Sequence, residues 1–449
     1  MTKAMKGISS KEKQTQTMVP EEKYPYRVPE NWRWVYLHDV CSGFQYGYTE
    51  KATYEQIGPH FIRITDIGDG VINDADAPYC RIDDKEYSKY VISKNDILIA
   101  RMGSVGENGI AIHDIEGVFA SYLIRIIPII HPRFVCQFLQ SSLYWQQITD
   151  NSQGTTRLNV NANILKQLLF PLPPFPEQHR IVDRIESMFA KLNEAKEKAQ
   201  AVVDGYEDRK AAILHQAFTG KLTAEWRKKN HIGQESWANC DLRDIVSGFK
   251  YGSSEKSDYG YNGMPVLRIP NIGENELLFD DIKYLPDENV EIGYQLREND
   301  ILIIRSNGSR ELVGKCAVVP KLNKTYAYAS FLIKITPSDQ MLSQYLSLFL
   351  NSAEARSQMF AKAKSSAGIH NINSKELGAI RLQVPSIPEQ LQIVAMLSDS
   401  LSKEKAAVEF ALSVLEEIET MKKAILARAF RGELGTNDPT ELPADIGIS

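Results

Sequence analysis

Three stretches of the sequence place residue types at spacings that chemistry uses, and each lacks an atom the chemistry needs. Leu172 to Phe175 reads LPPF, the outline of the Asn/Asp-Pro-Pro-aromatic tetrad that holds an amino group for methyl transfer. A side-chain oxygen must accept the hydrogen bond at its first position, and Leu172 has none. Gly308 to Cys316 reads GSRELVGKC, the outline of a phosphate-cradling loop. One residue too many separates its glycines, and Cys316 stands where a hydroxyl would meet magnesium. Asp83 and Asp84, followed by Lys85, echo an acidic nuclease centre but read as solvated turn charge. The eight histidines form no H-E-x-x-H pair, and the five cysteines are scattered without a C-x-x-C, which indicates neither a metal site nor a disulfide framework. No glycine-rich cofactor fingerprint is present. The expectation is a chain that is not an enzyme and that itself binds no cofactor and no metal.

Composition bounds the alternatives. A chain of 449 residues is too long for one ordinary core and implies two or more domains. The net charge of −5 leaves no basic footprint of the kind nucleic-acid partners usually impose, and the acidity concentrates after residue 384. The N-terminal MTKAMKGISSKEKQTQT is polar, and the most apolar run, YLIRIIPII, is broken by Arg125 and Pro128. Neither a secretion signal nor a membrane span is expected, and scattered reduced cysteines suit the cytoplasm.

The elements that would position any site are written twice. SGFQYG, Ser42 to Gly47, returns as SGFKYG, Ser247 to Gly252, with Gln45 exchanged for Lys250. In the same order, Trp32 and Leu37 match Trp237 and Leu242, and NDILIAR from Asn95 matches NDILIIR from Asn299. ASYLIRIIP from Ala120 matches ASFLIKITP from Ala329, PEQ at Pro176 matches PEQ at Pro388, and ILHQAFTGKL from Ile213 matches ILARAFRGEL from Ile425. This is a tandem duplication with a unit of about 210 residues, far longer than a solenoid repeat.

Each unit begins with short β-type runs (HFIRIT, DILIA, YLIRII) separated by Gly, Asn and Asp turns, which predicts a mixed α/β globule. A proline-rich hinge follows, with Pro176 or Pro388 suited to a helix start and Glu177 or Glu389 in the first turn. Then comes a long helix. Ile181, Ile185, Met188, Leu192, Ala195, Ala199, Val202 and Tyr206 recur at steps of four and three, a heptad seam. In the second copy Ile393, Leu397, Leu401, Val408, Leu412, Leu415, Ile418 and Ile425 share a face, and Gly220 and Gly432 supply stops. An amphipathic arm of about 44 residues is unstable alone, so the two arms are expected to bury their stripes against each other, antiparallel. The predicted fold class is α+β: two similar globules separated by a pair of long antiparallel helices, related by a pseudo-two-fold. The boundaries read as a tail at 1–25, a first globule at 26–170, hinge and helix at 171–225, linker and second globule at 226–383, hinge and helix at 384–435, and a tail at 436–449.

This ordered double pattern, with VPENWRWVYLHDVCSGF at its start and PLPPFPEQHRIV and VPSIPEQLQIV at its hinges, resembles the specificity subunit of type I restriction-modification systems. The resemblance covers about Pro29 to Leu434. It implies that each globule is a target-recognition domain reading half of a split double-stranded DNA site. It further implies that the helices set the spacer and dock methyltransferase subunits, two by expectation, and that restriction subunits join. Those partners would use S-adenosylmethionine, ATP and magnesium.

Bases are read by Arg, Lys, Asn and Gln, and phosphates by Lys, Arg, hydroxyls and amides. On that chemistry the first candidate loop holds Gln45, Tyr46 and Lys51, paired with Lys250, Tyr251 and Lys256. After the DILI strand stand Arg101, Ser104 and Asn108 in the first copy, and Arg305, Asn307, Ser309, Arg310 and Lys315 in the second; Arg101 and Arg305 could instead pair with Asp96 and Asp300. Arg63 and Arg268 are strand candidates. The loops before the hinges add Thr155, Thr156, Arg157, Asn159 and Asn161, against Ser365, Ser366, His370, Asn371 and Asn373, with Asn159 and Asn371 alternatively capping turns. Two rival functions stay open: a nuclease with a hidden acidic centre, and a coiled-coil scaffold without DNA affinity.

Overall fold

The computed structural model describes residues 19–152, 159–287, 291–362, 364–366 and 369–444; the candidates Thr155, Thr156 and Arg157 lie outside them. The chain forms two compact units, residues 1–199 with 413–449 and residues 200–412.

In the first unit, Cys41–Tyr46, Leu123–Pro128, Ile97–Ala100 and Asn108–Ile110 lie side by side in that order, antiparallel throughout. Gly70–Ile72 and Ile67–Gly68 extend the sheet. The central strand is apolar at four successive positions and wholly buried, as a run covered on both faces must be. Just before it Asn95 takes a left-handed φ of 74°, and the buried Asp96 carboxylate accepts the Ser93 amide at 3.0 Å. Under the sheet, Pro132–Phe138 and Ser142–Ser152 contribute Phe134, Phe138 and Tyr144 to the main core.

The second unit repeats the plan. Val246–Tyr251, Leu332–Pro337, Ile301–Ile304 and Cys316–Val318 take the same order. Asn299 repeats the left-handed turn at 70°, and Asp300 accepts from the Arg297 amide at 2.9 Å. Short parallel pairs, His60–Ile62 with Gly117–Phe119 and Pro265–Leu267 with Ala327–Tyr328, recur as well.

Helix pairing is visible inside each unit. In the first, the helix Phe175–Asp204 places Ile181, Val182 and Ile185 in one core with Ile425, Leu426 and Phe430 at the end of the helix Ile387–Ala429. Further along, Lys196 meets Glu419 at 2.9 Å. In the second unit, Leu214 and Phe218 of Tyr206–Phe218 join Ile393 and Leu397, and Arg209 meets Glu404 at 2.7 Å. Rising numbers on one side meet falling numbers on the other, so both pairings are antiparallel. Each fully buried Ile or Leu contributes roughly 1.5–3 kcal/mol, and these side chains gather where helix meets globule.

Four expectations need correction. The first arm is interrupted at Gly205, between Phe175–Asp204 and Tyr206–Phe218. There the Arg209 guanidinium donates to the Val202 carbonyl at 2.7 Å, and a Cβ on Gly205 would sit 2.6 Å from Arg209 Nη1. Leu412 is 47% exposed while its neighbour Ala411 is buried, so the stripe runs one residue earlier at that turn. Leu192 and Leu401 pack only partly buried against their cores, Val202, Tyr206, Val408 and Leu415 are half-buried, and Ile418 is buried. Residues 19–24 of the expected tail are anchored, with Val19 buried and Tyr24 packed on Trp34. Residues 436–441 are tied down too, as described below.

Candidate nucleic-acid interface

One arrangement occurs in both units. The Arg101 guanidinium lies over the Tyr46 ring, 4.8 Å from its centroid, and Arg305 lies over Tyr251 at 4.7 Å. Each tyrosine hydroxyl is fixed at the start of a short helix: Tyr46 accepts the Ala162 amide at 3.0 Å and Tyr251 accepts the Ser374 amide at 3.0 Å. Asn161 and Asn373 cap those helices, so the capping role belongs to them and not to Asn159 and Asn371. The backbone closes the same arch, with Val160 donating to the Arg101 carbonyl and Ile372 to the Arg305 carbonyl. Neither Arg101 nor Arg305 pairs with the neighbouring acid: Asp96 holds Arg125 at 3.1 Å and Asp300 holds Lys334 at 3.6 Å. The buried Nε of both Arg101 and Arg305 has no hydrogen-bond partner among the described residues. A desolvated donor without an acceptor is costly, and a planar cation stacked on an aromatic face is prepared for a phosphate or a base edge. Asn161→Ala removes the cap that aligns this arch; unfolding titrations should show a loss of about 1 kcal/mol in the first unit.

Several candidates are held otherwise. Gln45 faces Arg125 across the strand pair, accepts from its guanidinium and donates to the Lys89 carbonyl at 3.0 Å. Its two polar atoms are committed, so it buttresses the sheet. Burial pushes the Asp96 carboxyl above the usual range even beside Arg125. Lys250 lies over Tyr294 and within 3.6 Å of Glu291. Arg63 makes a two-pronged pair with Asp66, at 3.1 and 3.0 Å, and Arg268 binds Asp281 at 2.8 Å. Asn108 is buried, donating to Gly106 and Leu139 and accepting from Gln140. The sequence shows the type of these residues and not their partners.

The second unit gathers more of its candidates. Ser306–Asn307 pairs with Ile369–Asn371, setting Asn307 opposite His370, and Arg305 Nη2 donates to Asn371 Oδ1 at 3.3 Å. Asn307 Oδ1 accepts the Ser309 amide at 2.7 Å, while Ser309 and Arg310 are exposed beyond it. Lys315 is half-buried under this loop, and Lys51, Ser104, Asn159 and Lys256 are exposed. Among the described residues no group of three or more His, Cys, Asp or Glu is placed to hold a metal ion. Burial pushes the Cys41, Cys136 and Cys316 thiols up to about 12, which disfavours thiolate chemistry. No described helix is long and apolar enough to cross a membrane.

The profile of the type I restriction modification DNA specificity domain matches twice, over residues 29–202 and 234–409. The chain belongs to the type I restriction-modification specificity family. It is 28% identical over 361 residues to the type I restriction enzyme EcoKI specificity subunit of Escherichia coli strain K12, covering 78% of this chain and 77% of that one. It is 23% identical over 433 residues to the MjaVIII specificity subunit of Methanocaldococcus jannaschii, covering 92% and 95%. A solved HsdS subunit from Thermoanaerobacter tengcongensis shares the fold at a TM-score of 0.62, with 22% identity over 91% of this chain and 99% of that one.

Each specificity domain carries an Arg–Tyr arch and also a buried carboxylate, Glu177 or Glu389, whose sequence reading is a helix-start charge. Glu177 accepts the Trp32 indole at 2.7 Å, Thr436 at 3.2 Å and Asn437 at 2.9 Å. Arg180 adds two contacts to Glu441, each at 2.8 Å, so the expected C-terminal tail is fastened through residue 441. Glu389 accepts the Trp237 indole at 2.9 Å, with Thr223 and Arg227 both at 2.7 Å. In each domain the second residue of Pro-Glu-Gln ties the opening tryptophan to a segment that follows a helix end. The third residue is buried too, Gln178 holding His131 and Gln390 holding Leu342.

Proposed function

We propose that this chain is the DNA-recognition subunit of a type I restriction-modification complex, each domain reading one half of a split, asymmetric duplex site. The observation that carries the reading is the Arg–Tyr arch, present in both domains with the tyrosine hydroxyl fixed at the same helix start. Shared residues, Arg101 with Tyr46 and Arg305 with Tyr251, grip backbone that is alike in both halves. Divergent ones, Ser104 and Asn159 against Asn307, Ser309 and His370, face different bases. The chain supplies no catalytic group; methyl transfer and cleavage belong to partner subunits, with two methyltransferase subunits docked along the helices and their cofactors held there.

Methylome sequencing of cells with and without this chain tests the proposal: one bipartite methylated motif should vanish with it. Unchanged methylation would refute it, and magnesium-dependent cleavage by the purified chain alone would favour a nuclease. Seven residues inserted into each long helix should lengthen the unread spacer or abolish binding while leaving the half-site bases unchanged, which the same sequencing reads.

A further inference from the structure

One opening of the second unit carries two arginines on its lining. It is a cleft of about 620 Å³ whose lining includes Lys210, Arg310, Arg356 and Phe360. Arg310 lies over the Phe360 ring at 4.8 Å and Arg356 over the same ring at 5.1 Å. Lys210 is matched by Glu274 and Glu207. The two guanidiniums have no carboxylate partner among the described residues, and Arg356 donates only to the Glu311 carbonyl. Burial pushes the Arg356 pKa down, while the charge of nearby Glu311 acts the other way.

The first unit shows what this place holds otherwise. Ser141 and Ser352 open equivalent helices: their hydroxyls accept the amides of Tyr144 and Ala355, both at 3.3 Å. Their carbonyls accept the amides of Trp145 and Arg356. Trp145 therefore stands where Arg356 does. Both lie beside an equivalent left-handed glycine, Gly106 at φ 92° and Gly314 at φ 88°, against which Trp145 and, more distantly, Arg356 pack. The loop from Arg305 to Gly314, which brings Arg310, is longer than its counterpart from Arg101 to Gly106.

We infer that Arg356 and Arg310, held on the two edges of the cleft around Phe360, form a phosphate clamp of the second domain alone, closing on the DNA backbone beside the half-site that this domain reads. The inference rests on the DNA-binding reading and adds to it. The clamp is continuous with the candidate interface, because Arg310 sits on the loop that carries Asn307. A phosphate supplies the anion that the two guanidiniums lack, in the geometry that Arg matches best.

The test uses the full-length chain and duplexes carrying the methylated motif or a scrambled sequence. Arg356→Gln should lower affinity roughly tenfold for both duplexes, and reduce the slope of log K against log salt by about one. Arg356→Lys, which keeps the charge, should retain the slope. Methylphosphonate substitution, one phosphate at a time, should find a position beside the second half-site that weakens wild type but not Arg356→Gln; no such position should exist beside the first half-site. Ser357→Glu, a surface change at the cleft mouth, should reproduce the loss without disturbing packing. An unchanged salt slope in Arg356→Gln, or a phosphate whose neutralisation weakens both proteins equally, would overturn the clamp. A chain that binds both duplexes alike but keeps the slope change would overturn the sequence-reading function and leave the clamp standing.

Discussion

Glu389→Ala should unfold the second unit at far lower denaturant than wild type, a loss of about 3–5 kcal/mol. The carboxylate is completely buried, and Arg227, 2.7 Å away, has a side chain only 7% exposed. Removing the acid leaves that cation without a counter-charge and strands the Trp237 indole and the Thr223 hydroxyl. Glu389→Gln keeps the volume but not the charge, so it should recover little. Glu389→Met combined with Arg227→Met removes both charges and should recover most of the loss, because replacing a buried ion pair by apolar groups is often neutral. Glu177→Ala in the first unit should cost less, about 2–3 kcal/mol. Its donors Trp32, Thr436 and Asn437 are neutral, and the last two lie near the surface and can turn to water. With two compact units a single transition is not expected. Hydrogen exchange resolved along the chain is the measurement: Glu389→Ala should lose protection across residues 200–412 only. A loss below about 1 kcal/mol, or one spread evenly over both units, would show that the knot is not what fastens the domain.

Much of the architecture was legible because the sequence is its own comparison. The paired fragments NDILI and ASYLI or ASFLI locate the two central strands, and their order predicts that both sheets follow one plan, as they do. The heptad spacing located the helices and their antiparallel pairing. It failed at Gly205 and at Leu412, where a seam of alternating fours and threes can shift by one residue without changing the pattern. The site was less legible, for a geometric reason. Gln45 and Arg101 are both polar residues beside apolar strands, and only the register across the sheet shows that Gln45 is spent on Arg125 while Arg101 keeps an unspent donor. Likewise, a glutamate in the first turn of a helix reads as dipole compensation. That it gathers an indole from 145 residues away in one unit and 152 in the other is a property of the folded chain. The repeat did hold a usable signal, since Trp32 with Glu177 and Trp237 with Glu389 recur together.

Arg101→Ala and Arg305→Ala should each weaken binding of the full duplex site by about 1.5–3 kcal/mol, on the order of 10–150-fold, the range for a charge-assisted hydrogen bond lost from a desolvated donor. The two residues lie in separate compact units and share no partner, so the double variant should lose the sum of the two single effects. Because both domains keep the same Arg on the same Tyr while reading different bases, the lost contact is to backbone. Each single variant should therefore weaken cognate and scrambled duplexes alike, and lower the salt slope by about one. Asn307→Ala should behave in the opposite way, sparing the salt slope and relaxing discrimination at one base pair of the second half, at about 1–3 kcal/mol. Lysine should not replace either arginine: it lacks the flat face that rests on Tyr46 or Tyr251 and the planar fork beyond it. Competition titrations with duplexes altered in one half at a time separate these outcomes. Discrimination lost at a base pair in Arg305→Ala would make that arginine a base reader, and an affinity within twofold of wild type would remove the arch from the interface altogether.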